Sequence, residues 1–106
     1  MTVIADTSYV VAVAVNTDNK HAECLAIHRQ QQIIYLPQSM LAEVAFMLTR
    51  EGNRQITSEF FRGIPRSKYR PVALQAEDFI RTADILTKYN DARLDFVDAT
   101  IVAVAE

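Results

Sequence analysis

The sequence predicts an α/β domain built on a parallel sheet flanked by helices, and three observations lead there. Short apolar runs alternate with longer stretches of helical periodicity, the pattern of strands joined by crossover helices. Val3-Ile4-Ala5 reads as a short buried strand, stopped at once by Asp6-Thr7-Ser8, an acid and two hydroxyls. The chain has 106 residues, 50% hydrophobic and 23% charged, which suits one globular domain, residues 1–106, around a single core.

The bulk numbers exclude little but set a frame. A net charge of −2 makes no electrostatic case for nucleic acid, yet bound metal would offset acids counted as bare. The single cysteine, Cys24, rules out an internal disulfide and favours a reducing compartment. The apolar run from Tyr9 to Val15 is too short to span a bilayer, and Asp6 precedes it where a signal peptide carries positive charge. No membrane association and a cytoplasmic location are expected.

In chain order, Tyr9 to Val15 is assigned to a short helix, with Thr7 or Ser8 as its cap, because no turn residue separates it from the first strand. Asn16 to Asn19 is a turn, and His21 to Gln32 a second helix. Ile33 to Leu36, closed by Pro37, is a buried strand. A helix from Met40 to Arg50 ends at Gly52-Asn53, and another runs from about Gln55 to Arg62. Pro65 to Pro71 reads as a basic loop carrying Arg66, Lys68 and Arg70, followed by a third strand at Val72 to Leu74. A long helix from Ala76 to Tyr89 is expected to bury Phe79, Ile80, Ala83 and Leu86, and Asn90-Asp91 breaks it. The last helix starts at Asp95 or Phe96. Helix-after-strand order predicts a further strand beyond Glu106, so the expectation is of a domain short at its C-terminus, its final strand absent.

In parallel α/β sheets ligands bind beyond the carboxyl ends of the strands, where Asp6 falls. Glu43 is flanked by Met40 and Met47 at helical spacing, so it lies on an apolar stripe. Asp98 shares a face with Leu94, Ile101, Val102 and Ala105. Asp95, one turn earlier, suits a helix cap. Carboxylates on apolar faces are costly unless a cation shares the site, and magnesium needs only two or three of them beside its waters. Such ions activate water and stabilise charge when a phosphodiester is cut.

At these residues the chain resembles a known family. Ile4-Ala5-Asp6-Thr7-Ser8, Ala42-Glu43 within a helix, and Phe96-Val97-Asp98-Ala99 opening an alanine-rich helix resemble the PIN domain, in particular the VapC-type toxin ribonucleases of bacterial toxin–antitoxin pairs. The resemblance covers essentially the whole chain. It implies a PIN-like three-layer fold and a metal-dependent endoribonuclease in which Asp6, Glu43 and Asp98 hold Mg2+ or Mn2+ and cut RNA. Ser8 matches a hydroxyl that supports the first acid, and Asp95 has a looser counterpart. RNA, a cognate antitoxin and a second copy in a homodimer are the implied partners. The subunit contacts would fall on the helices around Tyr9 to Val15 and Gln38 to Leu48. Arg66, Lys68 and Arg70 would meet RNA phosphates. The family normally continues with a strand bearing a fourth, variable acid, so the alternative is a catalytically impaired module that acts by binding the antitoxin or a dimer partner.

Other constellations are weaker. His21, Cys24 and His28 share a helix face but lack a fourth zinc ligand, and ordinary surface positions explain them better. With Gly52 and Gly63 as the only glycines, a phosphate-cradling loop is excluded. A phosphoacceptor receiver domain fails for want of an aspartate after the third strand and a late lysine.

Overall fold

A computed structural model describes residues 3–90 and 93–106. Among the described residues six helices surround a small parallel sheet: α1 (Thr7–Ala14), α2 (His21–Gln30), β1 (Ile34–Pro37), α3 (Leu41–Glu51), α4 (Arg54–Gly63), β2 (Tyr69–Val72), α5 (Ala76–Lys88) and α6 (Phe96–Ala105). Short 3-10 turns at Gln38–Met40 and Ile64–Arg66 lead into α3 and out of α4. β1 and β2 pair in parallel with Ile34 opposite Tyr69 and Pro37 opposite Val72. The predicted first strand is a single parallel bridge, Ile4 to Tyr35, on the other side of β1. Two backbone bonds hold it: Ala5 N–H donates to the Tyr35 carbonyl at 3.0 Å, and Tyr35 N–H to that of Val3 at 2.8 Å. β1 is therefore the middle of the layer, and the chain leaves its neighbour at Asp6.

The core follows from alternation on β1 and helical spacing around it. Ile34 and Leu36 turn inward, Tyr35 outward. Against them pack Val10 and Val11 of α1 and Val44 and Leu48 of α3, all buried. A second, smaller cluster joins α5 to α6 through Ile85, Ala99 and Ala103. Helix α6 links the two, because Val97 and Ile101 pack on the main core while Ala99 and Ala103 face α5. Buried Thr100 reinforces that link. Its hydroxyl donates to the Val97 carbonyl at 2.6 Å, so at 2.7 Å from Ser39 Oγ it must be the acceptor. At the surface, Arg81 of α5 pairs with Glu106, Nη2 to Oε2 at 2.8 Å.

Three expectations need correcting. The third strand lies at Tyr69–Val72, not Val72 to Leu74, so part of the supposed basic loop is strand. Pro71 is tolerated because β2 pairs only with β1 among the described residues, and an edge strand can spare an N–H. The buried face of α5 is Thr82 and Ile85, with Leu86 half-buried. Phe79 and Ile80 are 54% and 67% exposed, and Ala83 is exposed too. Helix α5 has apolar residues on two sides, and α6 covers one. Finally, α1 starts at Thr7 with Asp6, not Thr7 or Ser8, as its cap. Of the predicted break at Asn90-Asp91, Asp91 lies outside the described residues. Element ends elsewhere shift by one or two residues.

The corrected face of α5 gives a paired test. Ile85→Ala should lower unfolding free energy by about 2–5 kcal/mol, the usual cost of a truncated core aliphatic. Ile80→Ala should stay within about 0.5 kcal/mol, as exposed substitutions do. Urea denaturation of both variants reads the difference, and equal losses would put the face back where periodicity placed it.

Candidate metal centre

Three acids from distant segments line one cleft of about 520 Å³: Asp6, Glu43 and Asp98, together with Thr7 and Ser8. Phe46, Met47, Val97 and Ile101 form its apolar walls. Each acid is placed by an element already accounted for. Asp6 is extended (φ −107, ψ 175), and its side chain folds back over the first turn of α1. Oδ1 accepts from Tyr9 N–H at 2.9 Å and from Ser8 Oγ–H at 3.1 Å. Ser8 thus bonds the acid directly, and both of these bonds fall on Oδ1 rather than Oδ2. Asp98 sits in the first turn of α6 in a capping box with Asp95. Asp95 Oδ1 accepts from Asp98 N–H at 2.9 Å, and Asp98 Oδ2 from Asp95 N–H at a long 3.4 Å. Glu43 projects from the first turn of α3.

Burial differs from expectation. Only Glu43 is half-buried, while Asp6 and Asp98 are exposed. The reason is local: both aspartates sit at helix starts, where free N–H groups and the positive end of the dipole favour a carboxylate without removing it from water. The acids still sense one another. Desolvation raises the Asp98 carboxyl above its ordinary range, the negative charges of Asp95 and Glu43 push the same way, and the Asp95 N–H opposes them. Thr7, which the sequence reading passed over, adds a buried hydroxyl oxygen with no hydrogen-bond partner among the described residues. Its position directly after Asp6 was the available signal.

An all-oxygen donor set sharing a repulsive field, beside an unpartnered hydroxyl, fits a hard divalent cation in chemistry. As positioned, the side chains stop short of a closed ligand set: among the described residues no group of three or more His, Cys, Asp or Glu side chains could hold a metal ion.

The PIN domain family model matches residues 3–106. The chain belongs to the PIN domain family. The fold is also similar to the crystal structure of VapC20 from Mycobacterium tuberculosis, described as a sarcin–ricin loop cleaving toxin. The TM-score is 0.85 at 20% identity, over 97% of this chain and 80% of that one. No curated protein matches the sequence. In this PIN domain, as expected, a parallel sheet is flanked by helices.

The basic trio is not brought to the acids. Lys68 and Arg66 lie at or before the amino end of β2, whereas Asp6 leaves the carboxyl end of the bridge on the opposite side of β1. Lys68 Nζ donates to the His28 carbonyl at 2.7 Å, and Arg70 Nη1 donates to the carbonyls of Ser67 and Tyr69. Arg66 instead faces a small separate cleft with Arg62. Nor are His21 and His28 plain surface residues. His21 Nδ1 lies 2.8 Å from the Ala12 carbonyl, and His28 Nδ1 lies 2.7 Å from Tyr9 Oη. For Cys24, burial and the neighbouring Glu23 and Asp18 raise the thiol, which argues against a reactive thiolate.

The shared field is testable. Glu43→Gln removes one of the charges that hold the Asp98 carboxyl up, so its midpoint should move down in an NMR titration of the carboxyl carbons. Linkage has the matching sign: a raised carboxyl contributes stability at low pH that is lost as pH rises through its folded midpoint. An unmoved midpoint would separate the two acids.

Proposed function

We propose that this PIN domain is an endoribonuclease that depends on Mg2+ or Mn2+ and hydrolyses RNA phosphodiester bonds, as the toxin of a toxin–antitoxin pair. The observation that carries the reading is the convergence of Asp6, Glu43 and Asp98 on one cleft. Fold likeness to VapC20, itself described as a sarcin–ricin loop cleaving toxin, supports the reading as a toxin nuclease. A cognate antitoxin, a homodimeric assembly and a cytoplasmic setting belong to the same reading. It accords with the last that among the described residues no helix is long and apolar enough to cross a membrane.

On this proposal Asp6, Glu43 and Asp98 would hold the ion, while Ser8 and the Tyr9 N–H keep the Asp6 carboxylate in place. A bound divalent ion supplies activation of water and stabilisation of charge on the phosphate. Phe46, 62% exposed on the wall, offers a face on which a base can stack. Arg66 is reserved for phosphates farther along an RNA, with Lys68 and Arg70 contributing charge rather than direct contacts.

The decisive variant is Asp6→Asn, because asparagine is as good a helix cap as aspartate and removes only the charge. RNA cleavage in Mg2+ should fall on the order of a hundredfold or more, the scale of losing one transition-state stabiliser. Chelation with EDTA should abolish activity, and Mg2+ or Mn2+ should restore it. Equal cleavage by Asp6→Asn and wild type would sink the assignment. Antitoxin binding with no cleavage by either would leave the impaired binding module.

A further inference from the structure

Helix α2 carries two histidines seven residues apart, hence on one face two turns apart, and both reach α1. His21 holds the far end of α1 through the Ala12 carbonyl at 2.8 Å. His28 holds the near end through the Tyr9 phenol, Oη to Nδ1 at 2.7 Å. Tyr9 is also the residue whose N–H donates to Asp6 Oδ1 at 2.9 Å. The two bonds that fix the Asp6 carboxylate, from Tyr9 N–H and Ser8 Oγ, both come from the turn it caps. The Tyr9 side chain ties that turn to another helix across nineteen residues of sequence.

We propose that the Tyr9–His28 pair positions Asp6: the bond between Tyr9 Oη and His28 Nδ1 fixes the first turn of α1 from outside, and that turn aims the carboxylate into the cleft. The pair is itself braced. The His28 ring packs between Tyr9 and Tyr69, with centroids at 5.8 and 5.3 Å, and Phe60 of α4 abuts Tyr69 at 5.8 Å. Lys68 Nζ grips the His28 carbonyl at 2.7 Å. Around His28 the titratable groups are Tyr9 from α1, Lys68 and Tyr69 from the start of β2, and Cys24 one turn earlier on α2. Burial and the Lys68 charge lower the His28 midpoint, and burial raises both phenols, so near neutrality an uncharged imidazole faces an intact hydroxyl. When His28 takes a proton, both ring nitrogens become donors, so Nδ1–H donates to Tyr9 Oη and the phenol proton turns elsewhere, which changes the polarity of the bond at the first turn of α1.

The effect on metal binding rests on the metal-site reading above; the positioning itself does not. The test begins with the metal-free full chain, following the Tyr9 amide and Asp6 carboxyl resonances as pH is lowered through the His28 midpoint. Both should show an inflection there, lost in Tyr9→Phe and retained in His21→Gln. No inflection in the wild type, or one that survives Tyr9→Phe, overturns the proposal. In a second arm, Mn2+ binding is read by electron paramagnetic resonance. Tyr9→Phe and His28→Phe should bind about fivefold to tenfold more weakly, the worth of one hydrogen bond. His28→Gln, which can still bond the phenol, should return toward wild type while His21→Gln leaves affinity unchanged. Equal Mn2+ binding by Asp6→Asn and wild type would overturn the metal reading and leave the resonances to decide positioning.

Discussion

The hydrogen bond from Tyr9 N–H to Asp6 Oδ1 satisfies a donor that helix α1 cannot satisfy itself, and it orients the acid on which the cleft is centred. The start of α6 repeats the arrangement with Asp95 and Asp98. Two of the three acids therefore have a structural job independent of any ligand. Their placement depends on where two helices begin, and that depends on β1: the bridge at Ile4 delivers the chain to Asp6, and the turn after Pro37 meets α6 through Ser39 and Thr100. The cleft is the place where these helix starts meet at the carboxyl end of one short strand.

The three cleft acids and the pair Arg66 and Lys68 lie at opposite ends of the sheet. The acids occupy the carboxyl end of the sheet, while Arg66 and Lys68 lie at its amino end on the far side of β1. A polyanion approaching the acids meets repulsion at short range, so the proposed activity needs a cation to reverse the local field. Segregation also frees the basic groups for structure. Lys68 neutralises carbonyl charge near the C-terminus of α2, where helix dipoles favour a cation.

Much of this was legible in the sequence because local chemistry decides it. Each of the six helices was placed within about two residues, and Asp95 was correctly read as the cap of α6. Position and spacing singled out the three acids, and in the structure they line one cleft. What failed was decided by partners. Tyr69-Arg70-Pro71 has poor strand character, yet β1 recruits it as an edge, where a missing N–H is harmless. Phe79 and Ile80 have the period of a buried face, but Thr82 and Ile85 share that period, and only the position of α6 chooses between them. Lys68 counted as a free charge until the end of α2 claimed it. The histidines of α2 looked like surface polarity because nothing in the sequence shows that α1 lies against them.

The hydrogen bond between Ser39 and Thr100 joins positions 61 residues apart and docks α6 beside the turn that follows β1. Asp6 and Glu43 are placed by elements packed around β1, whereas Asp98 reaches the cleft only through that helix. Closing so long a loop costs conformational entropy that the contacts of α6 must offset. The three acids therefore stand together only while α6 is docked.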